Sequence, residues 1–272
     1  MVGKLIKHEA IRTRGMLATV FGAATLLAVM GALLAATQWP VVAQFGLVVS
    51  VLGAVGVVPA TQLALAFDYW QTGYRRIGYF TQTLPVKGST IYWAKLAWGT
   101  LVVVASVALA LLLGAITFMG NAGSLGHAPL DLFSMVGQWW TDMAAVMPWW
   151  GWMAAPPALL LLATFNLLQY YFAASVGSEK RFGSLGLGGP VLVWFVLYVV
   201  LQIVLIGFML IPIGLGVEGG ALALVSENYL AMVLDGADPA TVPIGFLPGF
   251  LVAAAVLVWR TVVSWNGKVS LV

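Results

Sequence analysis

The chain has 272 residues, of which 62% are hydrophobic and 8% charged, with a mean hydropathy of +1.01 and a formal net charge of +3. A soluble domain carries about 25% charged residues, so composition excludes a water-soluble fold and points to a membrane protein. The chain has no cysteine, which excludes disulfides, thiol catalysis and cysteine-ligated metal. So small a basic excess does not read as nucleic-acid binding.

The uncharged runs are long enough for helices of about 20 residues that cross a ~30 Å core. They lack the alternation of membrane-barrel strands. Lipid leaves helices as the remaining way to pair the backbone. The expected fold is an all-α polytopic membrane protein with six transmembrane helices in one domain, residues 1–272. No cleavable signal-peptide pattern is present, because the first apolar run is too long and leads straight into a second.

Residues 1–14 are short and basic. Val2, Leu5, Ile6 and Ala10 share one side of a helix, and Lys4, Lys7, Ile11 and Arg14 the other, with Arg12 adding charge. This predicts an interfacial helix on the cytoplasmic surface. Glu9 falls on its apolar side. Two readings stand: Glu9 reaches water or pairs locally, or it makes a polar contact to a partner helix or to the 67–96 region. A first membrane helix is expected over about 16–37, with Ala28, Ala32 and Ala36 as a small-residue line for close packing. A second is expected over about 42–66, kinked at Pro59.

Residues 67–95 form a long polar interruption, with Arg75, Arg76, Lys87 and Lys95 against the single acid Asp68. They read as a cytoplasmic loop. Leu84-Pro85 ends any helix there, and Ser89 is the expected N-cap of the next. A third membrane helix follows over about 96–119. Residues 120–152 carry Asp131, Asp142 and no lysine or arginine, together with Trp139, Trp140, Trp149, Trp150 and Trp152. Tryptophan favours the headgroup level, so this reads as an extracytoplasmic helix or loop lying on the membrane. His127 reads as a plain loop residue.

The fourth helix is expected over about 153–176, with Pro156-Pro157 in its first turn. A short turn with Lys180 and Arg181 leads to the fifth, about 191–212. Residues 213–245 form a second extracytoplasmic segment with Glu218, Glu227, Asp235 and Asp238, in which 221–234 has the makings of a short helix. The sixth helix covers about 246–264.

All 12 lysines and arginines fall at 1–14, 67–96, 177–190 and the C-terminus, while six of the nine acids fall in 120–152 and 213–245. By the positive-inside rule both termini are cytoplasmic, and the expected location is the cell (cytoplasmic) membrane.

The sequence offers no chemistry of its own. It contains no HExxH, no GxSxG-type serine site and no paired glutamates, so no catalytic, cofactor or metal residues are assigned. Lys87-Gly88-Ser89-Thr90 has the letters of a phosphate loop in the wrong order. The middle of every expected helix is uncharged, which disfavours ion-driven transport. Gln62, Asn166, Gln169 and Gln202 remain as interhelical hydrogen-bonding groups or as a polar cargo path.

The span from Gly78 to Leu96 resembles the first cytoplasmic loop of ABC-2-type transporter permeases. The matching positions are Tyr79, Phe80, Thr83, Leu84, Pro85, Val86, Ile91 and Lys95. The basic N-terminus with Glu9, the six helices and the excursion before the last helix are similar to that family over nearly the whole chain. The segment 120–152 departs from it. The resemblance implies an exporter permease that pairs with a second permease, identical or related, and with two ATPase subunits that bind ATP and Mg²⁺. It implies a coupling helix within 69–86, with Tyr74, Arg75, Arg76, Tyr79, Phe80, Thr83, Leu84 and Pro85 as the ATPase-coupling surface. The cargo would be a drug, lipid or antimicrobial peptide. The alternatives are an ion-coupled carrier or channel, or a lipid-acting membrane enzyme using the outer acids.

Overall fold

Apolar residues dominate every long segment, and the chain answers with helices. The computed structural model describes residues 2–75, 78, 83, 85–180, 185–235 and 241–267. In chain order these form α1 (Val2–Ala36), α2 (Pro40–Tyr74), α3 (Gly88–Asn121), a 3-10 turn (Ala122–Leu125), α4 (Asp131–Val146), α5 (Trp149–Val176) and α6 (Gly188–Met209). Then come β1 (Gly214–Glu218), β2 (Ala221–Val225), α7 (Tyr229–Asp235), β3 (Val242–Pro243) and α8 (Phe246–Gly267). Six of the helices, α1, α2, α3, α5, α6 and α8, are long and apolar enough to cross a membrane. The chain is therefore a multi-pass membrane protein by the length and composition of its helices.

Several expected boundaries move. No break separates residues 1–14 from the first membrane helix: α1 is one helix of 35 residues that runs straight through Gly15, with no proline nearby to end it. α3 begins at Gly88 with Lys87 at the N-cap and no side-chain cap, so Ser89 is already inside the helix. α2 runs through Pro59 to Tyr74. α5 begins at Trp149 after Pro148, so Pro156 and Pro157 lie inside it rather than in its first turn. The apolar run Trp149–Trp152 extends the helix outward past the prolines.

The segment 213–245 departs most. In place of a helix from 221, β1 and β2 form an antiparallel hairpin with Glu218 opposite Ala221. Gly219 and Gly220 both hold positive φ, 59° and 82°, the conformation a two-residue type I′ loop requires and which glycine adopts without a Cβ penalty. β3 pairs with the other side of β1, giving the order β2-β1-β3. Thr241 bonds the Glu227 carboxylate at 2.5 Å and the Tyr229 hydroxyl at 2.7 Å, holding the start of α7 to the strand that follows it.

The fold divides into two compact units, residues 1–72 with 82–140, and 73–81 with 141–272. The first has a core of Ala24, Ala28, Ala54, Val57 and Leu113. Small residues let its backbones approach closely. A Cβ on Gly31 would lie 2.6 Å from the Gly46 carbonyl oxygen of α2, so both positions need glycine. Ser50 donates to the Ala28 carbonyl at 2.8 Å and meets Thr117 at 2.6 Å, joining α1, α2 and α3 with a buried polar link. Ala28 and Ala32 of the expected small-residue line are buried there, whereas Ala36 is exposed. In the second unit α5, α6 and α8 pack together, with Phe165 edge-on to Phe250 at 4.3 Å.

Candidate functional site

Helix periodicity puts Glu9 and Thr13 on one face of α1, the face buried against α3. At the facing start of α3, Lys95 and Trp98 lie one turn apart. Lys95 Nζ donates to Glu9 Oε1 at 2.8 Å and to Thr72 Oγ1 at 3.0 Å. Arg12 donates to the other oxygen of Glu9 and, at 2.5 Å, to Asp68 of α2. Thr72 passes its own proton to the Asp68 carbonyl at 2.7 Å. Trp98 Nε1 donates to Thr13 at 3.0 Å, and Thr13 bonds the Glu9 carbonyl at 2.9 Å.

Two acids and two bases thus form one neutral network across three helices. The Lys95 side chain is only 3% exposed and that of Glu9 15%. Burial of an ammonium is tolerated because it donates to both the Glu9 carboxylate and the Thr72 hydroxyl, and the carboxylate neutralises it. The lysine does not snorkel to the interface.

The network lies at the membrane edge rather than at mid-depth. A 35-residue helix is about 52 Å long, roughly 20 Å more than the hydrocarbon core. The uncharged stretch 15–36 alone spans about 33 Å, enough to cross. Glu9, Arg12, Asp68 and Lys95 therefore flank the polar loop between α2 and α3 at the point where those helices leave lipid.

The loop itself starts in the second unit. Tyr74 is 4% exposed, with its ring 5.5 Å from Trp265 of α8. A Cβ on Gly73 would touch the same indole at 3.3 Å. Tyr74, expected on the coupling surface, is thus buried against α8. Arg75, Thr83 and Pro85 are exposed, and the Gly78 amide bonds the Arg75 carbonyl at 2.7 Å. Arg76, Tyr79, Phe80 and Leu84 lie outside the described residues, as do Arg181, Asp238 and Lys268. A second ion pair stands in this unit: Arg260 of α8 donates to Glu179, after α5, at 2.6 Å.

Lys4 and Lys7 are exposed on α1. Gln62 is buried in the first unit. In the second, Gln169 is buried and donates to Asn166 at 3.2 Å, Asn166 is exposed, and Gln202 is exposed on α6. His127 sits 3.6 Å from Asp131. Among the described residues no group of three His, Asp or Glu side chains is placed to hold a metal ion.

Sequence reasoning missed Thr72, Thr13, Trp98 and Trp265. The signal for the first three was the helical spacing of Asp68 with Thr72, of Glu9 with Thr13 and of Lys95 with Trp98. Trp265 had no signal, since its partner is distant in sequence. Compared with family models, curated proteins and solved structures, the chain has no match.

Proposed function

We propose that the chain is the permease subunit of an ATP-driven exporter. It would move a hydrophobic or amphipathic cargo out of the cytoplasm or the inner leaflet, working as a pair with separate ATPase subunits that bind ATP and Mg²⁺. The observation that carries this reading is the framing of the 75–87 loop. One side of the loop is preceded by Asp68 and Thr72 and the other is followed by Lys95, and the Glu9–Arg12–Asp68–Lys95 network ties these residues together. A load applied to such a loop moves three helices as a body instead of bending one, which suits a coupling element between a motor and a membrane gate. Tyr74 on Trp265 gives the same loop a grip on α8.

The helix interiors are apolar, which fits a cargo drawn from lipid. The charges sit at helix ends, which weighs against an ion-driven carrier.

The test is purification of this chain from its native membrane in a mild detergent, with mass spectrometry of what accompanies it. The expected companion is a stoichiometric soluble protein with a phosphate-loop lysine, lost when Arg76→Ala and Tyr79→Ala are combined. Transport by the purified chain alone, following an ion gradient, would replace this reading with the carrier.

A further inference from the structure

The helix α4 has the sequence DLFSMVGQWWTDMAAV, and none of its residues is buried. At 100° per residue, Leu132, Phe133, Met135, Val136, Trp139, Trp140, Met143 and Val146 gather on one side. Asp131, Ser134, Gln138, Thr141 and Asp142 gather on the other. On the apolar side Phe133 is 65% exposed, Val136 55%, Trp139 60% and Trp140 55%. So large a contiguous apolar surface needs an occupant.

Chain lengths on either side say what it is. Only Met147 and Pro148 separate α4 from α5, and α5 is long and apolar enough to cross a membrane. Two residues reach no more than about 7 Å, so the end of α4 is held at the level where α5 enters lipid. The other end connects through residues 122–130 to α3, another membrane-length helix. Trp149, the first residue of α5, is itself exposed, and indole rings favour the headgroup level. A helix held at that level meets the bilayer before any other surface.

We infer that α4 lies in the headgroup layer of the leaflet where α3 ends, with Phe133, Val136, Trp139 and Trp140 in lipid and Ser134, Gln138 and Thr141 in water. Its chemistry has an unusual sign. Interfacial helices commonly carry lysine and arginine that seek anionic lipid, yet residues 120–152 contain none and present Asp131 and Asp142 instead. Insertion is therefore driven by apolar area alone and does not depend on anionic lipid or on salt. This goes beyond the exporter reading and does not rest on it.

The chain has no native cysteine, so single-cysteine variants can be spin-labelled without background. The full chain is reconstituted in phosphatidylcholine vesicles with labels at 134, 136, 138, 139 and 141. Collision with oxygen, which concentrates in lipid, is compared with collision with a water-soluble nickel chelate. The expected oxygen-to-nickel ratio is several-fold higher at 136 and 139 than at 134, 138 and 141. Adding anionic lipid or 0.5 M salt is expected to change that ratio less than twofold. Low collision with both reagents at 136 and 139 would mean that protein, from a second copy or another chain, covers the face, and would overturn the inference. A uniform nickel-accessible helix, or a contrast that appears only with anionic lipid, would do the same. Labels at two different apolar positions guard against one variant misfolding.

Discussion

Lys95 is the residue on which the first unit's polar chemistry turns. It is an ammonium that is 3% exposed, bonded to a carboxylate that is 15% exposed. Removing one member of such a pair leaves the other charge buried, which costs about 3–5 kcal/mol, whereas removing both is often neutral. Glu9→Gln, which leaves the buried Lys95 ammonium without its bonded carboxylate, is therefore expected to lower unfolding stability by that amount in detergent micelles. Glu9→Gln combined with Lys95→Met is expected to recover most of it, leaving Arg12 with Asp68. If the two single losses simply add in the double variant, the residues are not energetically coupled and the network is not a unit. The sequence showed that Glu9 was out of place on an apolar stripe and left both explanations open. Both contacts exist, the local one to Arg12 and the distant one to Lys95. What the sequence does not show is burial: a lysine near a helix end ordinarily snorkels, and only the meeting of α1 with α3 closes that route.

At the scale of elements, hydropathy finds the six membrane-length helices but not their ends. Charged turns at a helix terminus look like separate pieces, so α1 reads as two elements until its backbone is seen to run unbroken from Val2. The hairpin was legible in Gly219-Gly220 between the short runs GLGVE and ALALV, a signal outweighed by the helix propensity of alanine and leucine. The contact of α2 with α8 was not legible, because nothing local to Trp265 points to Tyr74. That contact makes a prediction of its own. Trp265→Ala removes the ring beneath Tyr74 and Gly73, while Trp265→Phe keeps an aromatic surface. If the loop transmits force through α8, the alanine variant loses cargo-stimulated ATP turnover by about tenfold, within the range of measured coupling energies. The phenylalanine variant should stay within about threefold, and the ATPase should co-purify with both. Wild-type stimulation in Trp265→Ala would remove α8 from the transmission route.

Across the whole molecule the six membrane-length helices divide evenly, α1, α2 and α3 in one compact unit and α5, α6 and α8 in the other. Residues 73–81 belong to the second unit although residues of the first precede and follow them. The chain changes unit at 72/73, at 81/82 and again at 140/141, so the stretch likened to a coupling helix holds two of the three passages. The proposed coupling to an ATPase requires that this loop face the compartment that holds ATP. The charge distribution supplies the expectation. Arg75, Arg76 and Lys87 sit in that loop, whereas the hairpin and its surroundings carry Glu218 and Glu227 with no basic residue. With six crossings the loop and the hairpin would lie on opposite sides, and the positive-inside rule predicts that the basic side faces the cytoplasm. In a chain without native cysteine, Glu218→Cys should react with a membrane-impermeant maleimide in intact cells, and Lys87→Cys only after the cells are opened. Both positions are exposed, so failure to label after opening would signal misfolding rather than topology. The reverse pattern would put the 75–87 loop beyond the reach of any cytoplasmic ATPase, and the exporter reading would fall with it.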